Sequence, residues 1–289
     1  MTGVKYIAGI DLGGTKIHTA IADTNGNISA AIKSVTGSGL EPVIHNISES
    51  LEQAARKAGI SIQHIFRIGI GVPGPVDYNR GVVRICPNIS GWRNIPIVDI
   101  LKRRYPWAEV FVENDARAAG LAEARIGAGK GYNHVFYTTV STGIGGAIII
   151  NGKVYHGADG AAGEIGHMRF PDGADFEDIA SGPAIQRIFN IDPEALKEKF
   201  RQGNPDAQKA LNHLVHHLGI GLGNIATLLN PDVIVIGGGL SNLGSLLFPR
   251  LRKEIKKNAF SISGRNVKIK KAGLKSNSGV LGALELCKS

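Results

Sequence analysis

Cysteine is scarce in this chain: Cys86 and Cys287 are the two copies among 289 residues. They form neither a CxxC pair nor a disulfide framework, so reduced, structural thiols are the plainer reading. Aromatic side chains are also few, at 6%, and the basic stretches at residues 250–257 and 268–275 lack the interleaved rings on which nucleic-acid bases stack. No apolar run approaches the roughly 20 residues that span a bilayer, and no signal-peptide pattern opens the chain. A soluble cytoplasmic protein is the expectation, with neither membrane nor nucleic acid as partner. Acidic residues fall short of basic ones, 24 against 33, leaving a net charge of +9. Outside those two stretches the excess is spread along the chain, so it reads as solvated surface whose field suits a small anionic substrate.

Glycine, by contrast, is abundant, with 39 copies, and 289 residues can build one large domain or two of ordinary size. Residues 6–10 form an apolar strand that runs into Asp11-Leu12-Gly13-Gly14-Thr15-Lys16. Beyond it Ile17, Thr19 and Ile21 alternate with His18, Ala20 and Ala22, a period of two that means a second strand. The glycines therefore sit in a hairpin, which argues against a Rossmann fingerprint or a Walker loop, since both feed a helix. Such a turn is either a tight hairpin with no ligand or a phosphate cradle of successive backbone N–H groups, with Thr15 and Lys16 adding donors. In the second case Asp11 would lie near a metal ion on those phosphates. The pattern returns later: a strand at 135–140, the turn Ser141-Thr142-Gly143-Ile144-Gly145-Gly146, a strand at 147–150 and an Asn151-Gly152-Lys153 turn. Two distant copies point to a duplicated domain whose turns face one another across a cleft and grip a polyphosphate.

Between and beyond the copies, residues 41–58 have helical spacing and 66–72 read as a strand ending in Gly71-Val72-Pro73-Gly74-Pro75-Val76-Asp77. Cys86-Pro87-Asn88-Ile89-Ser90-Gly91-Trp92 is a loop in which Asn88 either reads a hydroxyl or satisfies local backbone. Residues 109–112 are strand-like, and after Asn114-Asp115 an alanine-rich helix runs from 116 to 125. A carboxylate at such a corner either caps the helix or serves as a well-held general base. Gly163-Glu164-Ile165-Gly166-His167 follows, with Asp175, Glu177 and Asp178 after it; these suit metal ligation or hydroxyl recognition. Ser181-Gly182-Pro183-Ala184 starts a helix. Residues 206–229 form a long helix, or one broken near 219–223. A strand at 233–236 opens through Gly237-Gly238-Gly239 toward a helix over 243–257, a layout that gives nucleotide access to backbone. The last helix covers 278–286.

Taken together, the 11–16, 71–77, 87–92, 141–146, 163–167 and 180–184 motifs, with Glu113-Asn114-Asp115-Ala116, resemble the ROK family of sugar kinases over nearly the whole chain. The resemblance implies an α/β, two-lobed actin-like ATPase fold of the duplicated ribonuclease H type, with a cleft between lobes 1–113 plus 277–289 and 114–276. It makes Asp115 the base, and places Gly74, Asn88, Asn114, Glu164, His167 and Glu177 around a sugar. It assigns Gly13, Gly14, Thr15, Lys16, Ser141, Thr142 and Gly143 to ATP phosphates, Asp11 to Mg²⁺, and Gly237, Gly238 and Gly239 to the border of adenosine. The implied reaction is transfer of the γ-phosphate to the C6 hydroxyl of an aldohexose or N-acetylhexosamine by a homodimer. Many relatives carry a CxCGxxGC zinc segment after their Gly-Glu-x-Gly-His; residues 168–176 contain no cysteine, so no zinc site is expected and His167 needs another orienting group. Some relatives acting on N-acetylmannosamine lack the segment too, which favours that sugar over glucose. The other readings are a sugar-sensing regulator and an actin-like ATPase acting on a protein. Family repressors place a helix-turn-helix ahead of the sugar-binding part, and a first strand beginning around Val4 leaves no room for one.

Overall fold

The computed structural model describes residues 5–171 and 173–288; Val4, where the first strand was expected to begin, lies outside them. The chain divides into two compact units, Met1–Ala122 with His156–Ala161 and Ser276–Ser289, and Glu123–Tyr155 with Ala162–Lys275. The first unit runs β1 (Tyr6–Leu12), β2 (Lys16–Asp23), β3 (Ile28–Val35), α1 (Leu40–Lys57), β4 (Ile65–Val72), β5 (Val76–Asp77), β6 (Val82–Ile85), β7 (Arg93–Ile95), α2 (Ile97–Arg104) and β8 (Glu109–Asn114). Helix α3 (Asp115–Ile126) carries the chain into the second unit. That unit holds β9 (His134–Val140), β10 (Ile144–Ile150), β11 (Lys153–Val154), α4 (Phe176–Ala180), α5 (Gly182–Phe189), α6 (Leu196–Arg201), α7 (Pro205–Leu229), β12 (Val233–Gly237), α8 (Phe248–Asn258), α9 (Ser261–Asn266) and β13 (Lys268–Lys271). Helix α10 (Ser278–Leu286) belongs again to the first unit.

The duplication read from the turns extends to whole sheets. One sheet has the order β3-β2-β1-β4-β8 and another β11-β10-β9-β12-β13, with a small β5-β6-β7 sheet beside the first. In each large sheet the first three strands are antiparallel and the last two join them in parallel. The central strands are apolar on both faces because both faces are covered. In β1, Ala8 and Ile10 meet Val43, Ile47 and Leu51 of α1, while Ile7 packs with Val280 and Leu284 of α10. Gly9 and Gly69 let α10 come close: a Cβ on Gly9 would fall 2.7 Å from the Leu284 Cγ, and one on Gly69 would strike the Ala283 carbonyl.

Two expectations need correction, and one open alternative is decided. The sequence reading puts the lobe divide before Asn114, whereas the contacts put it inside α3 after Ala122 and assign His156–Ala161 to the first unit. The reason is close packing, since Gly282 of α10 sits directly on the Ala118 backbone. Helix α7 is unbroken. Its glycines are used for contact, Gly219 against Glu254, Gly221 against the Phe176 ring and Gly223 against Asn258, and its ends are set by the Asn204 cap and left-handed Asn230. The helix expected over 243–257 starts only at Phe248, because Gly244 leaves helical geometry (φ 58°, ψ −119°) after a 3₁₀ stretch. Among the described residues no helix is long and apolar enough to cross a membrane.

Candidate active site

In the first unit the site grows from the end of β1. Asp11 lies opposite His18 on one side and Gly71 on the other. The chain then turns through Gly13, Gly14 and Thr15, and the Gly13 amide donates to the Lys16 carbonyl at 2.9 Å. Thr36 holds this turn from outside: its hydroxyl donates to the Gly13 carbonyl at 2.6 Å and its amide to the Thr15 carbonyl at 3.1 Å. With those carbonyls tied down the peptide planes are fixed, as an anion cradle requires. Gly14 brings the turn against the 86–92 loop, where a Cβ would come within 2.8 Å of the Asn88 Cβ.

Asp11 is in a poor place for a negative charge. Burial, and then repulsion from Asp115, raise its carboxyl from 3.8 to about 6, with Lys33 opposing them. Gly279, in the first turn of α10, lies so near that any side chain there would collide with the Asp11 carboxylate.

Asp115 stands at the β8–α3 corner. The sequence leaves capping and catalysis open for it, and the structure gives the cap to its neighbour. Asn114 does the capping: its Oδ1 accepts from the Arg117 amide at 3.1 Å, and its Nδ2 donates to the Gly74 carbonyl at 3.1 Å. Asp115 is the first helical residue, and its Oδ1 accepts the Ala116 amide at 2.7 Å. Its field also reaches Cys86, whose thiol is pushed up by burial first and by this carboxylate to a smaller extent. The first unit thus gathers Asp11, Gly13, Gly14, Gly74, Asn88, Asn114 and Asp115.

Thr15 and Lys16 lie in the same unit, and the second unit holds the other predicted residues. The turn after β9 is shorter than expected, Ser141-Thr142-Gly143, because Ile144, Gly145 and Gly146 already belong to β10. Glu177 supports it, accepting the Ile144 amide on Oε2 at 2.7 Å; Gly182 donates to the Ser141 carbonyl at 2.8 Å. The carboxylate fills the space a Gly143 side chain would need. Beside the turn opens a cavity of about 620 Å³ lined by Ser141, Thr142, Gly182, Gln186, Gly239 and Asn242 among others. Of the three glycines at the end of β12 and just beyond it, Gly237, Gly238 and Gly239, the last lines it. Gly238 (φ 80°) is pressed on the Val140 backbone and Gly237 on the Tyr137 ring, so backbone geometry accounts for those two.

Glu164 precedes a single 3₁₀ turn, Ile165–His167. The His167 ring is 75% exposed, and its Nδ1 lies 3.4 Å from Asp175 Oδ2. Arg169 Nε is 3.0 Å from the other oxygen of Asp175, and Arg169 and Asp175 form an antiparallel bridge. A carboxylate therefore meets the orienting need left by the missing cysteines. Among the described residues no group of three or more His, Cys, Asp or Glu side chains could hold a metal ion.

Sequence reasoning missed Thr36, Gly279, and the pair Glu113 and His156, joined by Nε2–Oε2 at 2.5 Å. Separations of tens of residues hide such partners. The Glu113–Arg117 spacing of four, which places acid and base on one side of the corner, was the one legible hint.

The family model for the ROK family matches residues 7–289, and the chain belongs to that family. Its two large sheets are those of the actin-like ATPase fold found in ROK kinases. The glucokinase of Thermotoga maritima is 30% identical over 100% of this chain and 98% of its own length. The crystal structure of a ROK family glucokinase from Streptomyces griseus in complex with glucose and AMPPNP is 32% identical, with a TM-score of 0.80, covering 98% of this chain and 99% of that one. A xylose repressor of Caldicellulosiruptor bescii is 28% identical over 98% of this chain and 78% of its own.

Proposed function

We propose that the protein transfers the γ-phosphate of ATP to the C6 hydroxyl of a hexose. The observation that carries this reading is the division of labour at the β8–α3 corner: with Asn114 as cap, the Asp115 carboxylate is held at a helix N-terminus and within the field of Asp11. Asp115 accepts the hydroxyl proton as the oxygen attacks phosphorus. Backbone amides of the Gly13–Lys16 and Ser141–Gly143 turns hold phosphate oxygens, and the cavity beside Gly239 takes the adenosine. Asn88, Asn114, Glu164 and His167 supply partners for the remaining hydroxyls, each of which would otherwise be buried unpaired. Glu177, read as a sugar ligand from the family pattern, acts instead through the Ile144 amide it holds.

Magnesium fits the acidic pair in the first unit, because it needs few protein carboxylates when phosphate oxygens and water complete its shell. Asp11 would hold it, and when bound it would offset charge on the transferring phosphoryl group. Full-length likeness to glucokinases makes glucose the sugar to test first. The cysteine-free segment at 168–176 carries the second reading, N-acetylmannosamine. A panel of sugars in a coupled assay for ADP separates them, and absence of sugar-dependent turnover with every one would favour a regulator.

The direct test is Asp115→Asn. Its sugar-dependent ADP release should fall by about a thousandfold, roughly 4 kcal/mol in the barrier. A folded variant with turnover near wild type rules out the assigned base.

A further inference from the structure

We propose that Glu113 and His156 form a positioning pair, a buried carboxylate–imidazole link that holds the Asn114-Asp115 corner and anchors the segment from which the chain runs on to Glu164. The proposal rests on the phosphotransfer reading above. Glu113 is 2% exposed and is the next-to-last residue of β8, just before the corner. Its Oε1 accepts the Asn114 amide at 2.9 Å and lies 3.4 Å from Arg117 Nη1. Its Oε2 accepts the His156 Nε2–H at 2.5 Å. A carboxylate this deeply buried demands donors on both oxygens, and His156 supplies the second.

The imidazole is itself held in place. It stacks on Tyr78 with ring centroids 3.8 Å apart and planes 15° from parallel. Four residues on, Gly160 (φ 75°) seats the chain against the Val76 carbonyl, where a Cβ would come within 3.1 Å. These contacts explain why His156–Ala161 belongs to the first unit although the chain on either side belongs to the second. Glu113 is bonded to the amide of the capping residue, and the base follows immediately. A displacement of Glu113 therefore passes through one residue, Asn114, to Asp115. Small displacements of a reacting group can cost on the order of a hundredfold in rate.

The experiment compares His156→Ala, His156→Gln and wild type on the preferred sugar. His156→Ala should lower kcat/KM for sugar by about tenfold to a hundredfold while leaving KM for ATP within about twofold. His156→Gln, whose Nε2 can donate to the same oxygen, should recover most of the loss. Amide hydrogen exchange gives a readout that needs no activity: His156→Ala should raise exchange at residues 111–117 and at 156–164 together, by about tenfold. Unchanged exchange at 111–117, or wild-type sugar kinetics in a folded His156→Ala, overturns the proposal. If wild type turns over no sugar, the phosphotransfer reading fails, and the exchange result alone decides the pair.

Discussion

The two five-stranded sheets share strand order and direction, yet they treat the carboxylate near their Gly-rich turn in opposite ways. Beside the first turn Asp11 is buried next to another acid, and its proton is retained up to about 6. Beside the second, Glu177 is engaged by a backbone amide at 2.7 Å and props the turn from below. One strand order thus carries a desolvated charge beside its first turn and a backbone-engaged charge beside its second. The covering helices differ as well. In the first unit α10 lies on glycines of β1 and β4, whereas β12 presents Val233, Ile234, Val235 and Ile236, all fully buried, to its neighbours.

That contrast makes unequal demands on substitution. Gly69→Ala puts a methyl where the Ala283 carbonyl lies, so α10 must lift or shift, at a cost of about 3 kcal/mol or more. Chemical denaturation measures it, and a loss below about 1 kcal/mol would mean that α10 yields easily. Next in size is Asp11→Asn. The folded carboxyl, raised from 3.8 to about 6, binds its proton more tightly than the unfolded one. Stability therefore declines as pH rises through that window, and the charged form costs on the order of 2 to 3 kcal/mol above it. The variant should be more stable than wild type by about that amount at pH 7, with the difference vanishing below about pH 4, and it should lack phosphotransfer. Melts across pH 4–8 check the sign, and equal stability at pH 7 refutes the burial strain.

The smallest effect belongs to the second unit. Glu177→Ala leaves the Ile144 amide without its acceptor and should cost about 1 to 2 kcal/mol at pH 7. It should also weaken ATP binding more than sugar binding, because the Ser141–Gly143 turn loses its prop. A larger rise in KM for sugar than for ATP would return Glu177 to the role of sugar ligand.

Much of this molecule was legible in the order of its residues. Period-two alternation beside Gly13-Gly14 identified the first hairpin, the returning strand–turn–strand order identified the second, and helix α10 has the bounds read from its pattern. Local chemistry sufficed there because strand period and cap residues lie within a few positions of one another. It failed where contact depends on distant residues. The unit boundary follows from Gly282 meeting Ala118, and the second oxygen of Glu113 finds its donor 43 residues away. The sequence did not say which of Asn114 and Asp115 caps the helix, and the Arg117 amide on Asn114 Oδ1 answers that. The missing cysteines pointed to a gap in the support of His167, but not to Asp175 as what fills it.

The seat of α10 on β1 and β4 has a consequence for how the protein matures on the ribosome. Residues 6–12 and 65–72 are translated early, yet the glycine-lined face they form has no cover until residues 278–286 emerge. The second unit, with its own buried cluster complete by Ile269, can collapse first as a nascent chain. The β1–β4 face, with Asp11 beside Gly279, is therefore covered only after residues 278–286 have been made.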